Sequence, residues 1–471
     1  MQIIGRKYEQ QVLQNCHQSG KPEFVAIYGR RRIGKTFLVR QFFRDTFDFS
    51  ITGIYQGTRQ EQLVQFCKLL NQYSKSTFPI VNNWFDAFDQ LKTYLSHIKK
   101  KRIVVFIDEL PWLDTPKSRF INAFEAFWNG WGAHQQQLML VVCGSATTWM
   151  TQKLIGNKGG LHNRLTRSIY LSPFTLGECE KFLANKGMKL SRYEQVENYM
   201  IMGGTPYYLN LLEPGLSLSQ NIDRLFFAKN APLRTEYNFL FRSLFNDSEL
   251  YQKVVECVAR KAKGLTLIEI KAALGAKDSG KLSQVISNLC SCDLMTKYYA
   301  YQKKQRDALY QLTDLYTLFY LRFVHEQNSQ DEHQWTNMLD NPKRTAWSGY
   351  AFEQVCFHHI NQIKRKLGIL GVLTQVCSWQ RNDGESHEQI DMVIDRNDRV
   401  TNLCEMKYSR AQYEITRQYI NHLNNRLESF RNATRSNKAL HLTMVTTYGI
   451  KPGIYSGLIQ SEVTMDDLFE N

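Results

Sequence analysis

The sequence predicts an α/β protein built from several domains, and three observations support this fold class. First, a chain of 471 residues is too long for a single hydrophobic core and corresponds to about three domains. Second, continuous apolar runs within residues 24–36, 102–109 and 137–147 have the pattern of buried parallel strands. Third, a helical segment, FLVRQFF, follows the first run after a glycine-containing turn. Strands that lead into helices in this way favour an open parallel sheet.

The composition is that of ordinary globular protein, with 43% hydrophobic and 22% charged residues, which excludes a disordered chain. The net charge of +15 and the pI of about 9.2 favour a polyanionic partner such as nucleic acid, although a generally basic surface has the same signature. Residues 340–471 are nearly neutral, so the surplus lies upstream. Basic runs occur at Arg30–Arg32, at Lys99–Arg102 and around Lys303, Lys304 and Arg306.

The cysteines and the hydropathy pattern indicate a compartment. Ten cysteines occur without a C-x-x-C pair, and most lie in apolar runs, as reduced core thiols do. No spacing resembles a zinc site. The N-terminus, MQIIGRKYEQ, has no apolar stretch of a signal peptide, and no segment approaches about eighteen uninterrupted apolar residues. We expect a soluble, cytoplasmic protein with no membrane partner.

The stretch YGRRRIGKT carries a phosphate-binding signature between a strand and a helix, because its glycines, lysine and threonine fit G-x-x-x-x-G-K-[ST]. In such a loop, backbone N–H groups and the helix N-terminus bind phosphate oxygens. The lysine adds a point charge at the β- and γ-phosphates, and the threonine hydroxyl can ligate Mg²⁺. We therefore expect ATP and Mg²⁺ as cofactors, with the nucleotide bound by Gly29, Arg30, Arg31, Arg32, Ile33, Gly34, Lys35, Thr36 and Phe37.

Polar residues end the other two apolar runs. Asp108 and Glu109 end the second run, and Ser145 ends the third. We expect Asp108 to hold the Mg²⁺ through water, with Thr36 as the other ligand, and Glu109 to polarise the attacking water. Ser145 is placed to sense the γ-phosphate. The carboxyl ends of the strands meet at one edge of an open α/β sheet, where ligands bind.

Together, IIGRKYE (residues 3–9), YGRRRIGKT, VVFIDE and GSAT resemble the archaeal-type ATPases of the AAA+/STAND class. The triple arginine in the loop is typical of that group. The resemblance implies a P-loop AAA+-like core with a helical lid, in which Gly5 and Arg6 pack near the base and GGTP (residues 203–206) is an element of the lid. It also implies a catalytic arginine finger, for which Arg164 is the first candidate and Arg167 the second, and a possible homo-oligomer. A structural salt bridge is the commoner role of an arginine.

Changes of pattern along the chain predict the division into domains. The expected parts are the ATPase core, a helical lid, a winged helix-turn-helix, a linker and a C-terminal α/β domain, at residues 1–172, 173–244, 245–324, 325–339 and 340–471. The linker is expected because HEQNSQDEHQ is polar and has no apolar period.

Short helices and a hairpin are expected in residues 245–324. Thr266 and Glu269 have the spacing of a capping box, and a helical face is formed by Leu282, Val285, Ile286, Leu289 and Cys290. The region resembles a winged helix-turn-helix with a basic wing tip, KKQRDA. DNA is therefore an expected partner, reached by the outward-facing Lys281, Ser283, Gln284 and Ser287. A lid or interdomain element that reads no bases is the alternative.

The C-terminal domain contains carboxylates in unusual positions. Glu353 lies on the apolar face of a helix, where it needs a partner such as a metal or a lysine. A hairpin with a loop at 396–400 would place Asp391 opposite Glu405, with Ile390, Met392 and Ile394 alternating with the aspartates. Lys407 shares a strand face with Glu405. Two carboxylates that close repel unless one is protonated or a divalent cation lies between them, and oxygen ligands suit Mg²⁺ or Mn²⁺.

Glu353, Asp391, Glu405 and Lys407 resemble, in order and type, the helix-Glu, Asp and E-x-K of the PD-(D/E)xK nuclease superfamily, in a DUF234-like C-terminal module. The resemblance implies a restriction-endonuclease-like fold and phosphodiester hydrolysis, with Asp391 and Glu405 as metal ligands. Glu353 and Lys407 would join them as catalytic residues, with Lys407 positioning water and stabilising charge. The proline of the superfamily name is replaced by Ile390, and a Q-x-x-x-Y helix motif is missing.

Three functions remain open on the sequence. The first is an ATP-gated nuclease that acts on DNA. The second is a nucleotide-dependent switch that binds DNA or protein through its winged helix and carries an inert C-terminal domain. The third is a chaperone-like or signalling STAND ATPase that binds no nucleic acid, which the basic excess disfavours.

Overall fold

The computed structural model describes residues 2–145, 147–156, 160–161, 163–245, 247–276, 279–302, 308–325, 331–382 and 387–470. The chain divides into two compact units, one ending at Ser172 and the other beginning at Pro173. All ten cysteines are free thiols and nine are buried, in agreement with the expected reduced core thiols. No helix in the described part of the chain combines the length and apolar character needed to cross a bilayer.

The first unit is a parallel sheet with helices around it. Its strands are Glu23–Tyr28 (β1), Phe49–Thr52 (β2), Ile103–Asp108 (β3), Leu138–Gly144 (β4) and Arg167–Tyr170 (β5). Its helices are Lys7–Gln18 (α1), Lys35–Phe42 (α2), Arg59–Ser74 (α3), Trp84–Ser96 (α4), Leu110–Leu113 (α5), Phe120–Gly130 (α6) and Thr147–Trp149 (α7).

The strands of this sheet run in the order β2-β3-β4-β1-β5, and all neighbouring pairs are parallel. Every residue of β3 and β4 is buried, because helices cover both faces. Each face of the sheet packs against its own apolar cluster. Phe24 belongs to the cluster on one face, and Phe106 belongs to the cluster on the other. The α/β class expected from the apolar runs is confirmed.

The second unit contains the remaining elements. Its helices are Leu176–Asn185 (α8), Arg192–Met202 (α9), Pro206–Asn210 (α10), Leu218–Ile222 (α11), Glu236–Leu244 (α12), Ser248–Ala259 (α13), Leu267–Leu274 (α14), Ser279–Ser291 (α15), Leu315–Phe323 (α16), Gln334–Asn337 (α17), Pro342–His358 (α18), Ile360–Lys366 (α19), Arg417–Thr434 (α20) and Met465–Leu468 (α21). Its strands are Leu265–Thr266 (β6), Met295–Tyr298 (β7), Leu309–Leu312 (β8), Thr374–Asn382 (β9), His387–Arg396 (β10), Val400–Lys407 (β11), Ala439–Thr446 (β12) and Ser461–Thr464 (β13).

Helices α13 to α15 and the small antiparallel sheet β6-β8-β7 follow the pattern expected for residues 245–324. The Thr266–Glu269 capping box is present, with both reciprocal hydrogen bonds. The buried face of α15 includes Leu282 and Leu289, while the side chains expected to face outward are exposed, namely Lys281, Ser283, Gln284 and Ser287. The expected basic wing tip, residues 303–307, lies outside the described residues.

The segment expected to be a linker is partly folded into the core. Trp335, in α17, is fully buried and packs edge-on against Phe319 and Trp347. The buried carboxylate of Asp223 accepts hydrogen bonds from the backbone N–H of Trp335 at 2.7 Å and of Thr336 at 3.2 Å. The linker prediction is therefore wrong for residues 334–337, because one tryptophan and a distant capping carboxylate outweigh a polar local composition.

The C-terminal sheet has the order β13-β12-β11-β10-β9. Strands β9, β10 and β11 are antiparallel, while β11, β12 and β13 are parallel. Helix α18 belongs to the apolar cluster on one face, with Met392 and Met406. Helix α20 belongs to the cluster on the other face, with Val393 and Leu403. The expected order of one helix, a hairpin and a second helix is observed, with β9 added between them.

The register of β10 and β11 pairs Asp395 with Thr401 and Met392 with Cys404, as expected from the loop at 396–400. The expected alternation along β10 is wrong, because the pairing with β9 shifts by one residue between Ile390 and Val393. Ile390 therefore packs on the same face as Val393. Such a β-bulge turns a side chain out of the regular pleat, and here it lies at Asp391.

His359, directly after α18, joins this helix to α8. The ring is fully buried. Its Nε2 accepts a hydrogen bond from the backbone N–H of Leu176 at 2.9 Å, and its Nδ1 lies 2.7 Å from the carbonyl oxygen of Val355. One nitrogen must accept and the other donate, so the ring is neutral. Burial lowers the pKa of His359 to about 4.

This buried histidine predicts an acid-sensitive stability. His359 takes up a proton near the usual pKa of 6.5 in the unfolded chain and only near 4 in the folded chain. The stability that the neutral ring contributes is therefore complete above pH 6.5 and is lost as the pH falls toward 4. The free energy of unfolding should fall across this pH window in both the wild type and His359→Gln. The decrease should be larger in the wild type, by on the order of 3 kcal/mol. Chemical denaturation at pH 7, 5.5 and 4.5 measures it.

The exposed neighbour provides the control for this experiment. His358→Gln should keep the wild-type dependence on pH. Equal dependence on pH in the wild type and in His359→Gln would contradict the assignment of a neutral, acceptor histidine.

Candidate functional site

The backbone of the loop between β1 and α2 has the conformation that phosphate binding requires. Gly29 has φ +140°, and a Cβ atom there would lie 2.5 Å from the carbonyl oxygen of Leu171. Gly34 has φ +88° and caps the N-terminus of α2. Arg32 also lies in the left-handed region, at φ 70°, although it is not glycine. Backbone held in this conformation turns successive N–H groups toward a common point, where an anion binds.

The side chain of Lys35 is folded back on this loop. Its Nζ donates to the carbonyl oxygens of Gly29 at 3.0 Å and Arg30 at 2.9 Å, and the residue is buried. Burial lowers the pKa of Lys35, and the charges of Glu109 and other neighbours oppose this. The ammonium thus lies inside the loop, where phosphate oxygens would offer it better acceptors than carbonyl groups.

Thr36 and Asp108 form a pair of hard oxygen donors. The Thr36 hydroxyl donates to Asp108, at 3.1 Å from Oδ1 and 2.9 Å from Oδ2. Burial, followed by the charge of Glu109, raises the pKa of Asp108 to about 6. A hydroxyl and a buried carboxylate at the N-terminus of α2 fit the ligand chemistry of Mg²⁺. These residues would hold the ion, which would neutralise charge on the β- and γ-phosphates.

Glu109 is held by Ser145. The Oε2 atom of Glu109 accepts a hydrogen bond from the Ser145 hydroxyl at 2.7 Å and from its backbone N–H at 3.0 Å. The backbone of Glu109 has φ 46°, directly after the last residue of β3. The ends of β1, β3 and β4 thus bring Lys35, Asp108, Glu109 and Ser145 to one edge of the sheet, as expected. In this state Ser145 contacts the carboxylate that is predicted to polarise water.

The other predicted nucleotide-binding residues line the same loop. Ile33 is buried in the core beneath the loop, whereas Phe37 is exposed on α2. Arg30 is buried, and Arg31 and Arg32 are partly exposed. Their nucleotide contacts remain predictions.

Arg164 lies at the opposite end of the sheet from this loop. The backbone N–H of Thr166 donates to the carbonyl oxygen of Phe24, near the start of β1. Since β1 is six residues long, roughly 20 Å of strand separates this end from the phosphate-binding loop. The exposed side chain of Arg164 is too short to reach a nucleotide in its own chain. An arginine-finger role therefore requires a second copy and remains a prediction, as it does for the exposed Arg167.

The second unit contains the predicted carboxylates. Glu353 projects from α18 with 18% of its side chain exposed, and Lys263 Nζ donates to its Oε2 at 2.9 Å. Of the two partners expected for a buried glutamate, the structure thus has a lysine. Burial, followed by the charge of Asp391, raises the pKa of Glu353 to about 7, and Lys263 opposes this rise.

Asp391 lies at the bulge of β10 and is buried. Its Oδ1 accepts from Gln389 Nε2 at 3.2 Å, and Lys263 Nζ lies 3.9 Å from the same atom. Its Oδ2 accepts from the backbone N–H of Met406 at 3.2 Å, beside Glu405. The predicted proximity to the strand of Glu405 is therefore observed.

Glu405 is enclosed by two cations. Lys407 Nζ donates to its Oε1 at 3.1 Å, and Arg426, on α20, donates to its Oε2. Lys407 and Glu405 thus share one face of β11, as their spacing predicts. Burial lowers the pKa of Lys407, but the charges of Glu405 and Asp391 outweigh it, so the pKa is raised. Lys407 also lies 5.4 Å from the centre of the Tyr419 ring.

The carboxylates in this arrangement do not fit a divalent metal. Within the described ranges, no group of three or more His, Cys, Asp or Glu side chains is arranged to hold an ion. The reason is visible in the contacts, because Glu353, Asp391 and Glu405 each face Lys263, Lys407 or Arg426. The predicted metal ligation by Asp391 and Glu405 is therefore not observed in this state.

Sequence reasoning missed two residues of this cluster. Lys263 is 90 residues from Glu353 and belongs to another module, so no local pattern marks it. Arg426 had a signal, since it follows Leu423 by three residues on the buried face of α20. A cation on an apolar helix face requires a buried anion nearby, and Glu405 is that anion.

Comparisons with known proteins agree with the first site. Residues 4–212 match the sequence model of an ATPase domain predominantly from Archaea. An uncharacterized protein of Methanocaldococcus jannaschii is 24% identical over 412 residues, which covers 86% of this chain and 87% of the relative.

Solved structures resemble parts of the chain. A Walker-type ATPase of Pyrococcus abyssi overlaps with a TM-score of 0.48 at 15% identity, covering 68% of this chain and 96% of the other. The ORC2 protein of Aeropyrum pernix overlaps with a TM-score of 0.44 at 11% identity, covering 68% of this chain and 93% of the other. The RuvB Holliday junction branch migration motor of Thermotoga maritima overlaps with a TM-score of 0.33 at 15% identity, covering 65% of this chain and 92% of the other. With TM-scores this low, these overlaps add nothing to the functional assignment.

The family match and the loop geometry identify residues 4–212 as an archaeal-type ATPase domain, and the chain is an ATPase. The match ends well before the carboxylate cluster of the second unit, whose function is a separate question.

The ATPase site predicts two variants with different defects. Lys35→Ala should lower ATP turnover at least about 100-fold, because the loop loses its phosphate-binding cation. Glu109→Gln should lower turnover similarly but retain nucleotide binding, because the amide keeps the shape and cannot polarise water. Phosphate release and binding of a fluorescent ATP analogue measure the two properties.

The exposed Lys68, on α3, provides the control, and Lys68→Ala should hydrolyse ATP at the wild-type rate. Normal hydrolysis by Glu109→Gln would remove the assignment of Glu109 as the water-polarising group.

Proposed function

We propose that the chain couples ATP hydrolysis to cleavage of DNA phosphodiester bonds by its C-terminal module. The observation that carries this proposal is the convergence of Glu353, Asp391, Glu405 and Lys407 from one helix and two strands. A sheet held only by packing has no need of two buried carboxylates, a third that is largely shielded from water and a partly exposed lysine beside them, since each charge is costly to remove from water. The restriction-endonuclease-like order of helices and strands around the cluster supports the same proposal.

Two side chains have the properties that phosphodiester hydrolysis requires. Lys407 is held in its charged form by Glu405, so it can stabilise negative charge that develops on a phosphate. Glu353 has a pKa of about 7, so it can take or give a proton at neutral pH.

DNA would be engaged through residues 245–324, the module that resembles a winged helix. Support comes from the exposed polar face of α15, which carries Lys281 and Gln284, and from the antiparallel pair β7 and β8. Residues 245–324 hold twelve basic and eight acidic residues, a modest surplus that agrees with a polyanionic partner. Phosphate contacts by these residues would orient the module, whereas base contacts would give sequence preference.

A cleavage assay tests the proposal. Supercoiled plasmid is incubated with ATP and either Mg²⁺ or Mn²⁺, and nicked and linear products are measured. Lys407→Ala should lower cleavage at least about 100-fold while ATP turnover is kept, because the phosphate loses its stabilising cation. Lys35→Ala should lower cleavage as well, because the nuclease is gated by ATP.

The control is Lys438→Ala, which removes a lysine of similar exposure that pairs with Asp395 at 2.7 Å in the same sheet. It should cleave like the wild type. Equal cleavage by the wild type and Lys407→Ala would show that the activity comes from a contaminant.

A second candidate function is favoured by the closed ion pairs of the C-terminal cluster. With every carboxylate facing a cation, the module could be architectural, and the chain would be a nucleotide-dependent switch that binds DNA without cutting it. This function predicts ATP-dependent retention on DNA with no product at any metal concentration. Lys281→Ala should weaken retention a few-fold and lower the slope of log K against log salt by about one. Retention on DNA, measured between about 50 and 300 mM salt, separates the two functions.

A further inference from the structure

Lys263 links two modules of the second unit through charge. Its ammonium lies 2.9 Å from Glu353 Oε2 and 3.9 Å from Asp391 Oδ1. The lysine belongs to the loop between α13 and β6, whereas both carboxylates belong to the C-terminal module. The exposed fractions of the three side chains are 19%, 18% and 9%, so the contact is largely shielded from water. Such a contact is stronger than a surface ion pair.

The loop that carries Lys263 is held by its backbone. Gly264 has φ +78°, and a Cβ atom there would lie 2.4 Å from the carbonyl oxygen of Tyr310, so only glycine permits this approach to β8. The backbone N–H of Gly264 donates to the carbonyl oxygen of Lys261 at 2.8 Å, which closes the turn. The position of the ammonium is therefore set by the chain and not only by a flexible side chain.

Side chains from both modules fasten the same loop. The carbonyl oxygen of Ala262 accepts from Gln311 Nε2 at 2.6 Å and from the Tyr350 hydroxyl at 3.1 Å. The Tyr298 hydroxyl donates to the carbonyl oxygen of Lys263. Tyr298 and Gln311 lie on β7 and β8, while Tyr350 lies on α18. The loop is thus held from both sides, by the strands and by the C-terminal helix.

The two carboxylates need a cation between them. Without the ammonium, two partly buried carboxylates would repel each other, and either a proton or a metal ion would have to compensate. Lys263 compensates them, from a loop that lies outside the C-terminal sheet.

We propose that Lys263 is an internal cation that occupies the place of a divalent metal between Glu353 and Asp391. Metal and lysine then exclude each other, because a single pair of carboxylates cannot hold both at this distance. This inference rests on the proposed nuclease function, since it names the group that fills that site.

Metal binding to the full-length protein tests this inference without relying on cleavage. Mn²⁺ is titrated in the absence of nucleotide, and free Mn²⁺ is measured by electron paramagnetic resonance. Lys263→Met should bind Mn²⁺ at least about tenfold more tightly than the wild type, because a positive charge near the site is removed. Adding Asp391→Asn to Lys263→Met should abolish the gain, which separates this site from the ATPase site.

The control and a second variant keep the result interpretable. Lys261→Met alters the same loop but removes only a surface pair with Glu269, at 3.0 Å, so it should bind Mn²⁺ like the wild type. Lys263→Gln keeps a hydrogen-bond donor for Glu353 and replaces Lys263→Met if the latter fails to fold.

Each outcome decides between the two proposals. Equal Mn²⁺ affinity in the wild type and both Lys263 variants overturns the internal-cation proposal, whether or not DNA is cleaved. Tighter Mn²⁺ binding without any cleavage of DNA supports the internal cation and removes the proposed nuclease function. Tighter binding together with faster cleavage supports both.

Discussion

The second unit depends on one electrostatic constraint: a charged group that is taken out of water must face an opposite charge or hydrogen-bond partners of the matching kind. Leaving one buried charge without a partner costs roughly 3–5 kcal/mol, which is a large part of the stability of a domain. Around the C-terminal sheet, three cations satisfy this constraint for the buried Asp391 and Glu405 and for the partly buried Glu353. The ATPase site satisfies it in another way, since Lys35 uses carbonyl oxygens and Asp108 uses a hydroxyl. The charges of both clusters are therefore satisfied in this state.

The parts of the molecule that could be predicted from the sequence are those whose physics is local. The phosphate-binding loop, its glycines and the strand that precedes it lie within about a dozen consecutive residues, and their spacing reflects backbone geometry. The register of β10 and β11 followed from a short loop, because the length of a hairpin loop fixes which residues pair. The exposed and buried faces of α15 followed from the helical period in the same way.

The remaining features arise from contacts between distant segments. The bulge at Asp391 is set by pairing with β9, and nothing in the sequence of β10 alone requires it. Trp335 appeared in a polar segment, but Asp223, more than a hundred residues earlier, caps its helix and holds it in the core. The contact between Lys263 and Glu353 could not be predicted for the same reason, since the two residues belong to different modules and meet only in the folded chain. Of the cluster on the C-terminal sheet, the sequence identified the acids and one base, and missed the two cations that come from elsewhere.

The bulge has a consequence for how this sheet tolerates change. The one additional residue in β10 lets a polar side chain leave the pleat at mid-strand while the hydrophobic residues on both sides of it keep their own layers. Removing that residue would restore an uninterrupted ladder and leave the apolar packing nearly intact, yet the carboxylate would point elsewhere. A shortened strand of this kind would yield a stable scaffold without the ion-pair cluster, so the length of this strand, and not only the identity of its residues, decides whether the cluster forms.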